Sequence, residues 1–266
     1  MENGKGMPDI KQFYDDLSSY YHLIFEDWDA SMARQGDALV QLIEVELERL
    51  PAGNVRVLDA VCGIGTQTLP LAARGFQLFS RDLSPAAVAR LRREAEARQL
   101  VVDAAVADMR QVASSVSGTF DVVLAFDNSM PHLLNDNDLS AAFQQFLTVL
   151  RPGGMFLCSV RDYDKVQRGV PATHLYGRRE YRGETFQLRQ EWSWDDPMHY
   201  TATIIIDKET PHGLTRELCT ASRFYAISTG RLLELMGKAG FQECRRIDET
   251  IYQPILTGRK TAQPSG

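Results

Sequence analysis

The stretch Val57-Leu58-Asp59-Ala60-Val61-Cys62-Gly63-Ile64-Gly65-Thr66-Gln67-Thr68 constrains this chain more than any other. Residues 55–58 are apolar but for one arginine, as a strand covered on both faces must be. Gly63 and Gly65 supply a tight turn without a Cβ, so a ligand can come close to the backbone. Thr66 is placed to cap a helix running through Leu71 to Arg74, whose first N–H groups would point at that ligand. Strand, glycine turn and helix start together predict a nucleotide-type pocket; an ordinary strand-to-helix turn is the plainer alternative. A phosphate-gripping loop wants Lys-Ser or Lys-Thr after the glycines, and neither is here. A dinucleotide loop wants a third glycine where Thr68 stands.

The theme repeats downstream. Gly75 to Pro85 reads as a second strand ending in Asp82, and Ser84-Pro85 starts a helix over 85–98. An acid at the tip of the adjacent parallel strand can accept hydrogen bonds from both hydroxyls of a ribose. A third strand over 101–106 closes on Ala107-Asp108-Met109. A fourth, over 120–126, leads into Asp127-Asn128-Ser129-Met130-Pro131-His132. In an open α/β sheet chemistry sits outside the carboxyl ends of the strands, so this segment is where reactants should meet. A helix over 139–150 is stopped by Pro152-Gly153-Gly154, and a fifth strand then runs into Ser159 to Asp164.

The pattern Asp59-x-x-x-Gly63-x-Gly65 resembles motif I of the class I S-adenosylmethionine (SAM)-dependent methyltransferases. The resemblance implies SAM as cofactor, with S-adenosylhomocysteine (SAH) as its product. It places Cys62, Gly63 and Gly65 against the methionine moiety, with Asp59 organising the loop. It further implies that Asp82 and Leu83 meet the ribose, that Asp108 accepts from the adenine N6 amine with Met109 near the ring, and that Phe126 completes the cofactor set. The alternative for Asp82 and for Asp108 is a plain capping role. The Leu150-Arg151-Pro152-Gly153-Gly154 turn and the Ala239-Gly240-Phe241 ending also resemble this family. Val61 and Arg81 depart from it, standing where small or apolar residues are usual.

Within that family the glycine/sarcosine N-methyltransferases are the nearest in flavour. Their N-terminal helix folds over SAM, which implies that Tyr14 or Tyr21 lies over the cofactor and that Arg34 reaches its carboxylate. Arg161-Asp162-Tyr163-Asp164 looks like their Arg-Asn-Tyr-Asp element, with Asp162 in place of Asn. This makes Arg161 a candidate to grip an acceptor carboxylate, with Tyr163 beside it; pairing with Asp162 or Asp164 is the alternative.

Apolar positions 13, 17, 20, 21, 24, 25 and 28 predict one helical stripe, followed by a helix over 29–50 that Pro51-Ala52-Gly53-Asn54 ends. Residues 165–222 change character. Polar and apolar residues alternate through Tyr181 to Trp194, and again through Tyr200 to Asp207 after a turn at Asp195-Asp196-Pro197. This predicts an inserted antiparallel β-meander walling the acceptor pocket. Tyr176, Arg178, Trp192, Trp194 and His199 are available to line it, although the two tryptophans more plausibly pack beneath it. Arg223 and Tyr225 precede the closing helix and are candidates to face the pocket.

The fold class expected is therefore α/β: a doubly wound, mostly parallel seven-stranded sheet with helices on both faces and an inserted antiparallel meander. Residues 1–8 form a disordered tail, 9–54 a helical lid, 55–164 the SAM-binding core, 165–222 the meander, and 223–260 a helix and hairpin completing the sheet. A net charge of -6 disfavours nucleic-acid binding, and no apolar run is long enough to span a bilayer. Four scattered cysteines with no Cys-x-x-Cys spacing suggest neither a metal site nor a disulfide scaffold, and fit a reduced cytoplasm.

A methyl sulfonium is already an activated electrophile, so the protein's work is alignment and exclusion of water. An amine acceptor needs at most a weak base, for which His132 is the candidate, with Asn128 beside it. No Asn/Asp-Pro-Pro-Tyr follows strand four, which lowers the case for a nucleic-acid aminomethyltransferase. The expected function is methyl transfer to a small polar molecule, most plausibly an amine or amino-acid nitrogen, by a monomer or homodimer. The alternatives are an O-methyltransferase on a natural-product hydroxyl and a non-catalytic SAM-binding regulator.

Overall fold

The computed structural model describes residues 9–47 and 55–262. The seven-stranded sheet is built from β1 (Arg56–Asp59), β2 (Gln77–Asp82), β3 (Val102–Val106), β4 (Phe120–Ala125), β5 (Leu150–Ser159), β10 (Gln242–Ile247) and β11 (Ile255–Arg259). Its order is β10-β11-β5-β4-β1-β2-β3. β1 to β5 are mutually parallel, and β11 and β10 join antiparallel at the β5 side. The chain steps outward from β1 to β2 and β3, then returns to lay β4 on the other flank of β1. That reversal opens a crevice above the carboxyl ends of β1 and β4.

Alternate residues along these strands feed two opposite cores. Val57, Val122, Leu124, Met155 and Leu157 pack on one face beneath Leu39 and Ile43 of α2 (Trp28–Glu46). Leu58, Val123, Phe156 and Cys158 pack on the other beneath Phe143 and Phe146 of α5 (Asp136–Val149) and Leu232 and Met236 of α6 (Thr229–Ala239). Each such side chain contributes about 1.5–3 kcal/mol by leaving water. α3 (Thr68–Ala73) and α4 (Pro85–Ala97) complete the cover.

The antiparallel part is a separate four-stranded sheet, β6 (Ala172–Tyr181), β7 (Glu184–Asp196), β8 (His199–Thr210) and β9 (Gly213–Tyr225), in sequential order. It continues three residues past the expected limit of 222. The stretch expected to run unbroken from Tyr181 to Trp194 turns at Arg182-Gly183, both with positive φ. Trp192 is buried against Tyr200 and His174, and Trp194 packs on Tyr200 from the rim.

The single N-terminal stripe is broken in two. α1 (Ile10–Leu17) ends at Ser18, a tight helical turn covers Tyr21–Ile24, and α2 restarts at Trp28 under an Asp27 cap. Apolar spacing carries on through the break because α1 and the Tyr21–Ile24 turn pack into one cluster, whereas Trp28 of α2 joins another. α2 itself ends at Glu46. Residues 1–8 and the Pro51 to Asn54 stop signal lie outside the described residues. The strand after α5 begins at Leu150, so Arg151-Pro152-Gly153-Gly154 is already part of β5. No helix among the described residues is long and apolar enough to cross a membrane.

Candidate active site

Two adjoining cavities lie above the carboxyl ends of the parallel strands. The first, about 260 Å³, is lined by Ala60 to Ile64, Thr66, Gln67, Asp82, Leu83 and Ala107 to Arg110, with Tyr14, Tyr21, Asp127 and His132 closing it. The second, about 600 Å³, is lined by Tyr14, Tyr21, Arg34, Asn128, Arg161, Tyr176 and the Thr250 to Gln253 loop. Tyr14, Tyr21 and Asp127 are common to both.

The floor of the first cavity is the glycine turn. Gly65 has φ 104°, and a Cβ there would come within 2.5 Å of Leu91, so the turn admits only glycine. Asp59 stands behind it, 1% exposed, accepting from the Thr68 hydroxyl at 2.7 Å. Burial pushes this carboxyl up to about 7. Asp59 thus ties strand to helix and does not line either cavity. Thr66 is no helix cap: its hydroxyl accepts from the Trp28 indole at 3.1 Å, and Gln67 precedes the helix.

Asp82 does line the cavity. Its two oxygens accept from the backbone N–H of Gly63 at 2.8 Å and of Ser84 at 2.9 Å, locking the tips of β1 and β2 together. A carboxylate has about four acceptor positions, so two remain for a ligand diol. Burial raises its pKa. Cys62 lines the same floor, its thiol pushed well up by burial. Leu83 and Met109 give apolar walls. Asp108 lines the rim but is a cap in this state, accepting from the Arg110 backbone N–H at 2.8 Å and pairing with its guanidinium at 2.6 Å. Phe126, expected in the cofactor set, is 2% exposed within the sheet core and reaches neither cavity. Of the two departures, Val61 lines the cavity, whereas Arg81 turns away to Asp103 and Ser115.

α1 roofs both cavities. Phe13 and Leu17 bury against Phe186, Leu188, Ile204 and Ile206 of the four-stranded sheet. On its other side Asp15 accepts from the Ser84 hydroxyl at 2.5 Å and the Ala86 backbone N–H at 3.2 Å, at the start of α4. Arg90 of α4 donates to the carbonyls of Ser18 and Ser19. Tyr14 thereby hangs over the junction, its hydroxyl 2.8 Å from Nε2 of His132. His132 also meets Ser222 at 3.2 Å, and burial pushes its pKa down to about 3. It is therefore uncharged near neutral pH, with one ring nitrogen protonated, and its Nε2 fixes the position of the Tyr14 hydroxyl.

Arg161 faces the second cavity. Its guanidinium lies over the Trp192 ring at 4.7 Å, and its Nε is buried without a hydrogen-bond partner. Among the described residues no carboxylate pairs with it; Asp162 is taken by Arg246 and Lys165. Asn128 lines this cavity and also supports it: its carbonyl accepts from the Arg161 backbone N–H at 2.9 Å, and its amide donates to the Tyr163 hydroxyl at 2.8 Å. Tyr163 is fully buried and lines neither cavity. Arg223 and Tyr225 are corrected too. They alternate with inward-facing Ser222 and Phe224, so Arg223 reaches Asp195 and Tyr225 reaches Asp136 on the outside. Arg178 is likewise engaged by Glu209, and His199 by Asp196. Arg34 is exposed at the mouth of the second cavity, not over the first.

In the sequence Asp127 stands out only as part of the segment 127–132, and Gln67 and Tyr252, which bond it at the cavity walls, do not stand out as site candidates. Asp127 accepts from the Tyr252 hydroxyl at 2.8 Å and from the Gln67 amide at 3.3 Å.

The parallel sheet with its reversal, the glycine turn and the acid-tipped strands have the fold of the class I SAM-dependent methyltransferases, and residues 57–154 match a family described as a methyltransferase domain. Within that class the chain is 29% identical over 165 residues to a glycine/sarcosine N-methyltransferase of Parasynechococcus marenigrum, covering 62% of this chain and 56% of that one. It is 28% identical over 151 residues to the enzyme of that name from Halorhodospira halochloris, covering 56% and 54%. The chain thus spans just over half the length of the curated relatives it matches. In fold it is similar to a SAM-bound amino pentose methyltransferase of Micromonospora echinaspora, with TM-score 0.73 at 17% identity over 98% of this chain and all of that one.

The first cavity fits SAM on its own chemistry: a backbone turn open to close approach, a carboxylate with spare acceptor positions, and apolar walls for a flat ring.

Proposed function

We propose that this chain transfers a methyl group from SAM to the nitrogen of a small amine or amino acid bound in the second cavity. The observation that carries the reading is Arg161, a cation facing that cavity with no carboxylate of its own. Arg161 is half-buried, and a buried guanidinium Nε left without a partner is costly; an acceptor carboxylate would satisfy it in bidentate fashion. The likeness to glycine/sarcosine N-methyltransferases supports the same acceptor class.

In this reading Asp82, Leu83, Met109 and the Cys62 to Gly65 turn hold SAM, and Asp108 takes the adenine edge once it shares its carboxylate with Arg110. SAM supplies a methyl group already activated on a sulfonium. The chain's own work is to hold the acceptor by Arg161 and Tyr176, to exclude water with α1, and to orient the nitrogen beneath Tyr14. The O-methyl alternative would require a base for an alcohol, and burial lowers the basicity of His132, the imidazole at the cavity junction.

The test is calorimetry with SAM and SAH, followed by SAH formation with glycine, sarcosine and uncharged amines. Binding of both nucleosides with turnover of a carboxylate-bearing amine is the expected result. Binding without turnover on amines or alcohols would favour a regulator, and no binding would remove SAM from the site.

A further inference from the structure

We infer that Asp127 receives the ammonium end of the acceptor and takes up its proton, so that the cavity selects a molecule bearing a cation at one end and an anion at the other. This rests on the amine reading above and extends it to the reacting nitrogen.

The geometry is particular to this carboxylate. Among the described residues Asp127 is the one acid that lines both cavities. One oxygen accepts from Tyr252, on the wall of the second cavity, and the other from Gln67, on the wall of the first. The carboxylate is therefore stretched across the junction, and two of its acceptor positions remain for an N–H donor. Its backbone is held there under constraint. Asp127 and Asn128 both lie in the left-handed region, at φ 56° and 62°, a conformation glycine would adopt at lower cost. Two bonds pin the turn: the Asp127 N–H donates to the Ser159 hydroxyl at 2.8 Å and the Asn128 N–H to the Ser159 carbonyl at 3.1 Å. Arg161 lines the same second cavity and is not paired with Asp127. One cavity thus offers an anion and a cation apart from each other, which a zwitterion matches and a neutral alcohol does not.

The groups facing Asp127 are Tyr14 and Tyr21 from the lid, Asp59 from behind β1, Tyr252 from the β10–β11 loop, and Tyr176 and Arg161 across the cavity. Burial raises the Asp127 pKa, which makes it a better proton acceptor than a solvated carboxylate. The step balances without any other reactant. An N–H bond of the ammonium breaks, an O–H bond forms on Asp127, and ammonium plus carboxylate become neutral amine plus carboxylic acid, leaving a lone pair on nitrogen.

Asp127→Asn keeps the shape but cannot hold the proton. With SAH-loaded protein, calorimetry of glycine, sarcosine and glycolate reads acceptor affinity; methyl transfer from SAM to the same three reads the pH profile. The variant should bind both amines at least about tenfold more weakly while SAH affinity stays within about threefold. Its kcat/KM should rise about tenfold per pH unit below the amine pKa, where wild type is nearly flat. Tyr252→Phe removes a donor that favours the ionised form, so its acid limb should move to higher pH with a milder loss. Amine binding and a pH profile unchanged in Asp127→Asn would overturn the assignment while leaving the amine reading intact. A wild-type protein that takes glycolate and neither amine, or none of the three, would overturn the amine reading itself and the role of Asp127 with it.

Discussion

The two cavities are built by different means. The first is made of strand ends and backbone: a glycine turn, two N–H groups locked onto Asp82, and residues that follow one another within 60–66, 82–83 and 107–110. The second is made of side chains brought from distant places: Tyr14 and Tyr21 from the lid, Arg161 after β5, Tyr176 from β6, and Tyr252 between β10 and β11. A ligand common to many proteins can be held by features the sheet topology supplies anyway. A ligand particular to one protein needs side chains chosen one at a time.

If that division is physical, single changes should injure one cavity and spare the other. Arg161→Ala should cost the most, about 3 kcal/mol or roughly 150-fold in kcat/KM for a carboxylate-bearing amine, with SAM affinity unchanged by calorimetry. Asp82→Ala should do the reverse, weakening SAM by about 2 kcal/mol or roughly 30-fold, through lost diol hydrogen bonds and a loosened Gly63 turn. An equal effect of either variant on both ligands would break the comparison.

His132 sharpens it at the seam. Its folded pKa of about 3 lies below the ordinary 6.5, so the unfolded chain takes up a proton that the folded ring does not. Its share of stability is complete above about pH 6.5 and is lost as pH falls toward 3, on the order of 1 kcal/mol per pH unit. The stability difference between wild type and His132→Gln, from urea unfolding, should therefore shrink steadily between about pH 6.5 and 4. A constant difference would place the ring in water. The smallest effect expected is from Tyr14→Phe, which removes one hydrogen bond at the shared roof: about 0.5–1 kcal/mol, or a few-fold, on both ligands alike.

The same division explains what the sequence disclosed. The order of the parallel strands, the turn at Gly63-x-Gly65 and the acid at 82 are local patterns with fixed spacing, and they were legible. Asp127 bonding Tyr252 joins residues far apart in the chain, and no local pattern carries such a contact. Arg223 and Tyr225 were misplaced although the alternation contained the answer, since Ser222 and Phe224 point inward and their neighbours must point out. His132 was readable as a polar residue near the chemistry but not as a desolvated one, because burial belongs to the packed molecule. The N-terminal stripe misled for the opposite reason: one cluster imposed one periodicity on α1 and the Tyr21–Ile24 turn.

β11 follows every other strand in the chain, yet it is hydrogen-bonded on both sides, between β10 and β5. A growing chain can therefore assemble the turn at Gly63 and the tips of β1 and β2 long before this strand exists. Until residues 255–259 slot beside β5, Tyr252 has no fixed post and Asp127 has only Gln67 as a side-chain donor. The wall of the second cavity is the last to be completed.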